Sequence, residues 1–137
     1  MAKKFRGAEL VREIDQALDR GLARFLILTQ GKLSKSSPVD TGRLASSWFI
    51  GAGIPDRSVP DEMDGKNTPS ITKYDGRITM DRDWFISSNL DYSERVAFDP
   101  KYGKGGRVGG AAWFTTIANN LGKDADKSFD FFLRKVK

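Results

Sequence analysis

The tripeptide Asp40-Thr41-Gly42 is the one place in this chain where residue types suggest a reaction. Paired across two chains, such carboxylates share one proton and activate water against a peptide bond, the chemistry of a homodimeric aspartic protease. A chain of 137 residues would accommodate that arrangement. The surroundings argue against it. The tripeptide follows Ser37-Pro38, which stops a helix, and precedes Arg43-Leu44 instead of lying in an all-β setting. A positive charge at Arg43 also stabilises ionised Asp40 and opposes a shared proton. Asp40 reads instead as local architecture: its carboxylate accepts backbone N–H groups just ahead and caps a short helix or turn over 41–47, worth about 1 kcal/mol. Gly42 then permits close approach or an unusual backbone angle, and Leu44 and Trp48 point back to the core.

The remaining residue types narrow the chemistry further. The chain has no His and no Cys, which removes imidazole bases, Ser-His-Asp and Cys-His catalysis, disulfides, and Cys or His metal ligands. The expectation is a protein that is not an enzyme and needs no cofactor or metal. Gly103 to Gly110 precedes a helix as phosphate-binding loops do. It lacks the Gly-Lys-Ser/Thr ending, has Val108 where a third spaced Gly belongs, and has no strand running into it. A linker is the better reading, with Lys104 and Arg107 as candidate contacts to a nucleic-acid backbone. Asp56, Asp61, Glu62 and Asp64 lack the fixed spacing of a calcium loop. The formal net charge of +5 suits an anionic partner, although the basic residues are scattered. No run is apolar enough to span a bilayer, and the basic stretch Met1 to Arg6 leads into no apolar segment, so neither a membrane span nor a secretory signal is expected.

A single α+β domain over 1–137 would position these residues. Leu10, Ile14, Leu18, Leu22, Phe25, Leu26, Thr29 and Leu33 recur at spacings of three and four, widened by Val11 and Ala17, and predict a long helix over 8–35. Gly21 and Gly31 within it call for close packing or a kink. Trp113, Ile117, Leu121 and Ala125 with Phe129 and Phe132 predict a second helix over 111–134, weakest at Gly122. Between them the period becomes two. Trp48 to Ile50 reads as a strand, Ile71–Tyr74 and Arg77–Met80 as a hairpin turning on Asp75-Gly76, and Asp83 to Leu90 as a further strand. This gives an antiparallel sheet of about four strands. Residues 51–70 and the Gly-rich 99–110 remain as two long loops. Trp48 and Phe49 must point to opposite sheet faces, as must Trp84 and Phe85. Phe49 and Phe85 are therefore candidate interface residues for a neighbouring subunit.

Two stretches resemble a known family. "SPVDTGRLASSW" is similar to the Pro-Val-Asp-Thr-Gly-x-Leu-x-x-Ser stretch of the tail-completion, or head–tail joining, proteins of tailed bacteriophages, of the lambda gene-product-Z type. "ISSNLDYSERVAFD" resembles that family's strand ending in Asn with a following Tyr and Glu. The resemblance carries over to Pro38, Val39, Asp40, Thr41, Gly42 and Leu44, and to Asn89, Tyr92 and Glu94. Asp91 and Asp99 depart from the family pattern. The resemblance implies a structural virion protein at the tail top or neck, made in the host cytoplasm. It would form a homo-oligomeric ring of about six or twelve subunits between the connector and the tail terminator or tail tube, with transient DNA contact. The alternatives from other classes are a basic nucleic-acid-binding module and, more distantly, the Asp-Thr-Gly protease.

Overall fold

In a computed structural model the described residues are 6–37, 43–60, 71–91, 93, 97 and 113–136. The apolar stripe of the first segment winds into α1, Gly7–Ser36, one turn of which is stapled by an Arg6–Glu9 ion pair at 3.0 Å. Its stop is sharp. The Ser37 N–H and hydroxyl both donate to the Leu33 carbonyl, at 3.0 and 2.6 Å, and the Ser37 backbone turns extended, as a residue before proline must. The stripe is buried at Ala17, Leu26, Thr29 and Leu33, whereas Leu10, Ile14, Leu18, Leu22 and Phe25 are half-buried and Val11 is 59% exposed.

The predicted second helix is two. α2, Trp113–Asn119, and α3, Leu121–Leu133, are separated at Asn120 and not at Gly122. The Asn120 side-chain amide donates to the Thr116 carbonyl at 2.8 Å, the acceptor that its own N–H would use in a continuous helix. The N–H bonds Ile117 instead. α3 runs antiparallel along α1, with Lys32 paired to Asp124 at 2.6 Å and Phe129 seated on Gly21. A Cβ on Gly21 would lie 2.9 Å from the Phe129 Cα, so close packing accounts for this glycine.

The α+β class holds with its long N-terminal and its C-terminal helix, but the four-stranded sheet does not form. Among the described residues the sheet has two antiparallel strands, β1 (Trp48–Ala52) and β2 (Trp84–Ser88). Register runs from Trp48 opposite Ser88 to Ala52 opposite Trp84. The predicted hairpin over 71–80 is absent, and neither Asp75 nor Gly76 has the positive φ that its turn required. Its backbone groups have other partners. Gln30 of α1 donates to the Thr72 carbonyl, Asp19 of α1 accepts the Met80 N–H at 2.9 Å, and the Tyr74 ring meets Trp84 edge-on at 5.1 Å. The segment is a strap along α1, tied to it at the Thr72 carbonyl and the Met80 N–H.

The loop expected over 51–70 starts later, since Gly51 and Ala52 belong to β1. Residues 53–60 are irregular and fold back over the sheet, while 61–70 lie outside the described residues, as does the Gly-rich 99–110.

Candidate functional site

The corner between α1 and β1 is where the family-like motif falls, and its described part is a buried polar hub built around Trp48. The Trp48 indole N–H donates to the Ser37 hydroxyl at 2.9 Å, and that hydroxyl passes its own proton to Leu33. At the other end of the corner, Ser47 Oγ donates to the Leu44 carbonyl at 2.6 Å. Because that spends the Ser47 proton, the 2.6 Å contact with Ser88 is donated by Ser88. Gln30 Nε2 reaches across from α1 to the Trp48 carbonyl at 2.7 Å and the Thr72 carbonyl at 3.0 Å. Each such bond contributes about 1 kcal/mol, and an orphaned partner would cost more. No buried side-chain polar atom among the described residues lacks a partner.

Apolar packing closes over this hub. Leu33, Leu44, Trp48, Leu90, Ala97, Trp113 and Ile117 form one buried cluster, with Ile86 and Phe114 against it. Trp113 is only 1% exposed and meets Trp48 edge-on at 6.2 Å, while Phe114 stacks on Trp48 at the same distance. Leu44 and Trp48 thus point into the core as their spacing implied, and Arg43–Ser46 form the expected turn. Pro38, Val39, Asp40, Thr41 and Gly42 lie outside the described residues, as do Tyr92, Glu94, Lys104 and Arg107.

Asn89 of the second family-like stretch is described, and its amide donates to the Arg57 carbonyl at 3.2 Å. Ser87 Oγ likewise donates to the Asp56 carbonyl at 3.2 Å. These bonds tie residues 56 and 57 over the sheet face that carries Phe49, Gly51, Phe85 and Ser87. Gly51 makes this approach possible, because a Cβ there would sit 2.4 Å from the Ile54 carbonyl oxygen. The Asp56 carboxylate fixes the bend by accepting the Ser58 N–H at 2.7 Å, and hydrogen bonding from the Ser58 side chain and backbone holds it below the usual carboxylate range.

The interface candidates therefore separate. Phe49 is 8% exposed and belongs to the chain's own interior, whereas Phe85 is 37% exposed. Gln30, Ser47 and Gly51 were not singled out from sequence, and Ser37 was read only as part of the helix stop. The signals existed: a Gln inside an apolar helical stripe, a Ser pair beside Trp48, and a glycine in a strand, which marks close backbone approach.

The described residues hold no group of three or more His, Cys, Asp or Glu side chains able to hold a metal ion. No described helix is long and apolar enough to cross a membrane. On α3, Arg24 from α1 and Lys135 each lie 4.3 Å from the Phe131 ring centre, and neither has a carboxylate partner among the described residues. No family model, no curated protein and no solved structure matches the chain.

Proposed function

We propose that the protein is a structural virion component of a tailed bacteriophage, a ring-forming tail-completion or neck adaptor that joins the tail to the head connector. The observation that supports this reading is the corner itself. The described part of the family-like stretch, Leu44 to Trp48, is locked between the end of α1 and β1 by a hub with every buried polar side chain bonded. Such a corner is a rigid joint, the property that an adaptor between symmetric rings requires. Asn89, from the second family-like stretch, adds to the same body by holding residue 57 over the sheet. In this reading the wedge of helices and sheet carries shape, and the stretches expected as loops, 51–70 and 99–110, supply the contacts to adjoining rings.

The test is electron microscopy of a lysate from phage with a stop codon early in this gene. Filled heads beside finished, unattached tails are expected; normal infectious virions would refute the assignment. A nucleic-acid-binding module is the second reading, favoured by Arg24 and Lys135 over Phe131, neither with a carboxylate partner among the described residues. It predicts DNA affinity that falls steeply with added salt.

A further inference from the structure

β1 and β2 begin with the same three residues: Trp48-Phe49-Ile50 and Trp84-Phe85-Ile86. In the sheet, the Trp-Phe-Ile of β1 lies opposite Ser88, Ser87 and Ile86 of β2. β2 therefore carries both halves of that pairing, the Trp-Phe-Ile and the Ile-Ser-Ser that receives it.

The direction of the backbone groups shows that β2 has an edge on which to use them. The Trp48 carbonyl is bonded by Gln30, so it points away from β2. In an antiparallel ladder the groups of alternate residues face alternate sides, which makes Trp48–Ser88 and Ile50–Ile86 the non-hydrogen-bonded pairs. The Gly53 N–H donating to the Asp83 carbonyl at 2.8 Å fits that phase. Trp84, Ile86 and Ser88 then direct their N–H and C=O groups outward. Ser93 Oγ touches the Ser88 carbonyl at 3.4 Å, and the others have no partner among the described residues. On the far side of the sheet Trp48 to Gly51 of β1 are buried, unlike any residue of β2, and Gln30 ties the Trp48 carbonyl and the Thr72 carbonyl to one nitrogen.

Free edges are usually blunted by charge, proline or a bulge. β2, Trp-Phe-Ile-Ser-Ser, has no charge and no proline, and its register with β1 is unbroken. A two-stranded sheet is also marginal in isolation. We infer that the β2 edge pairs antiparallel with β2 of a second copy about a two-fold axis at Ile86, giving a continuous four-stranded sheet. Trp84 lies opposite Ser88 of the other copy, Phe85 opposite Ser87, and Ile86 opposite Ile86. This repeats the register of β1 on β2 and keeps the tryptophans and isoleucines on the helix-covered face. The outward-facing pairs exchange two backbone hydrogen bonds each, and Phe85 gains cover on the opposite face. The pairing belongs to the free chain and does not depend on the neck assignment.

Sedimentation of the full chain over a range of concentrations reads the dimer. Oxidation of a Phe85→Cys/Ser87→Cys double variant locates it. Those positions form a non-hydrogen-bonded pair about 4.5 Å apart between Cα atoms, within disulfide reach, in a chain with no other cysteine. A covalent dimer is expected. Ser88→Pro removes an outward donor and leaves the β1 ladder intact, so dimerisation should weaken about tenfold or more, whereas Ser88→Ala should match wild type. A monomer at every concentration overturns the inference. So does a dimer or ring that neither cross-links nor responds to Ser88→Pro, an outcome that leaves the neck assignment standing. A cross-linked dimer from a gene whose loss leaves virions normal supports the pairing and removes only that assignment.

Discussion

Gly51→Ala tests whether the sheet face is covered by the chain's own backbone. The new methyl would lie 2.4 Å from the Ile54 carbonyl oxygen, 2.6 Å from the Asp56 nitrogen and 3.1 Å from the Pro55 carbonyl carbon. All three are backbone atoms and cannot swing aside as a side chain would. Reaching the 3.4 Å of ordinary contact lifts the segment by about 1 Å. The Ser87–Asp56 and Asn89–Arg57 hydrogen bonds, both already 3.2 Å, do not survive that shift. Two lost bonds at about 1 kcal/mol each, with overpacking of about 1–3 kcal/mol partly relieved by the movement, give an expected loss of about 2–4 kcal/mol. Urea unfolding followed by tryptophan fluorescence reads the total. Hydrogen exchange at Ser58 and Phe49 locates it, since both amides should exchange faster. A loss under about 0.5 kcal/mol with unchanged exchange would refute the close approach and the coverage argued from it.

Gln30→Leu keeps the buried volume but orphans the Trp48 and Thr72 carbonyls; a loss of about 2–4 kcal/mol is expected by urea titration, with faster exchange in the strap. Gly21→Ala sets a methyl against the Phe129 backbone and should cost about 1–3 kcal/mol, read as a lower melting temperature. Gly122→Ala has nothing within 4 Å to meet and sits in a helix, so melting should rise by an amount corresponding to about 0.5–1 kcal/mol. The Asp56 carboxylate is held below its ordinary value of 3.8 by Ser58. Its contribution is therefore complete above that value and is lost as pH falls below it. Acidification through this range should raise exchange at Ser58 in the wild type, and Asp56→Ala should show that exchange already at neutral pH.

The helices were legible because their cause is local. The three- and four-residue apolar spacing from Leu10 to Leu33 and the Ser37-Pro38 stop are written within one stretch, and the structure ends α1 at Ser36. Leu44 and Trp48 were legible as core residues for the same reason. The break at Asn120 was not, since it depends on which hydrogen the Thr116 carbonyl accepts, a choice between side chain and backbone that periodicity does not carry. The strap was misread because alternation and an Asp-Gly turn describe what 71–80 could pair with alone, whereas the Gln30 and Asp19 side chains that hold Thr72 and Met80 lie on a helix distant in sequence.

By itself the sequence determined the first helix and its stop, two of the four strands expected from it, the missing imidazole and thiol chemistry, and the inward-pointing Leu44 and Trp48. Only the tertiary structure decided that Phe49 is interior and Phe85 exposed, because strand alternation assigns a face without saying what lies over it. Over that face residues 54–57 approach Gly51, Ser87 and Asn89, an approach admitted by the bare Cα of Gly51. Which groups of β2 face outward was likewise settled in space, by the ladder phase that the Gln30–Trp48 and Gly53–Asp83 bonds set.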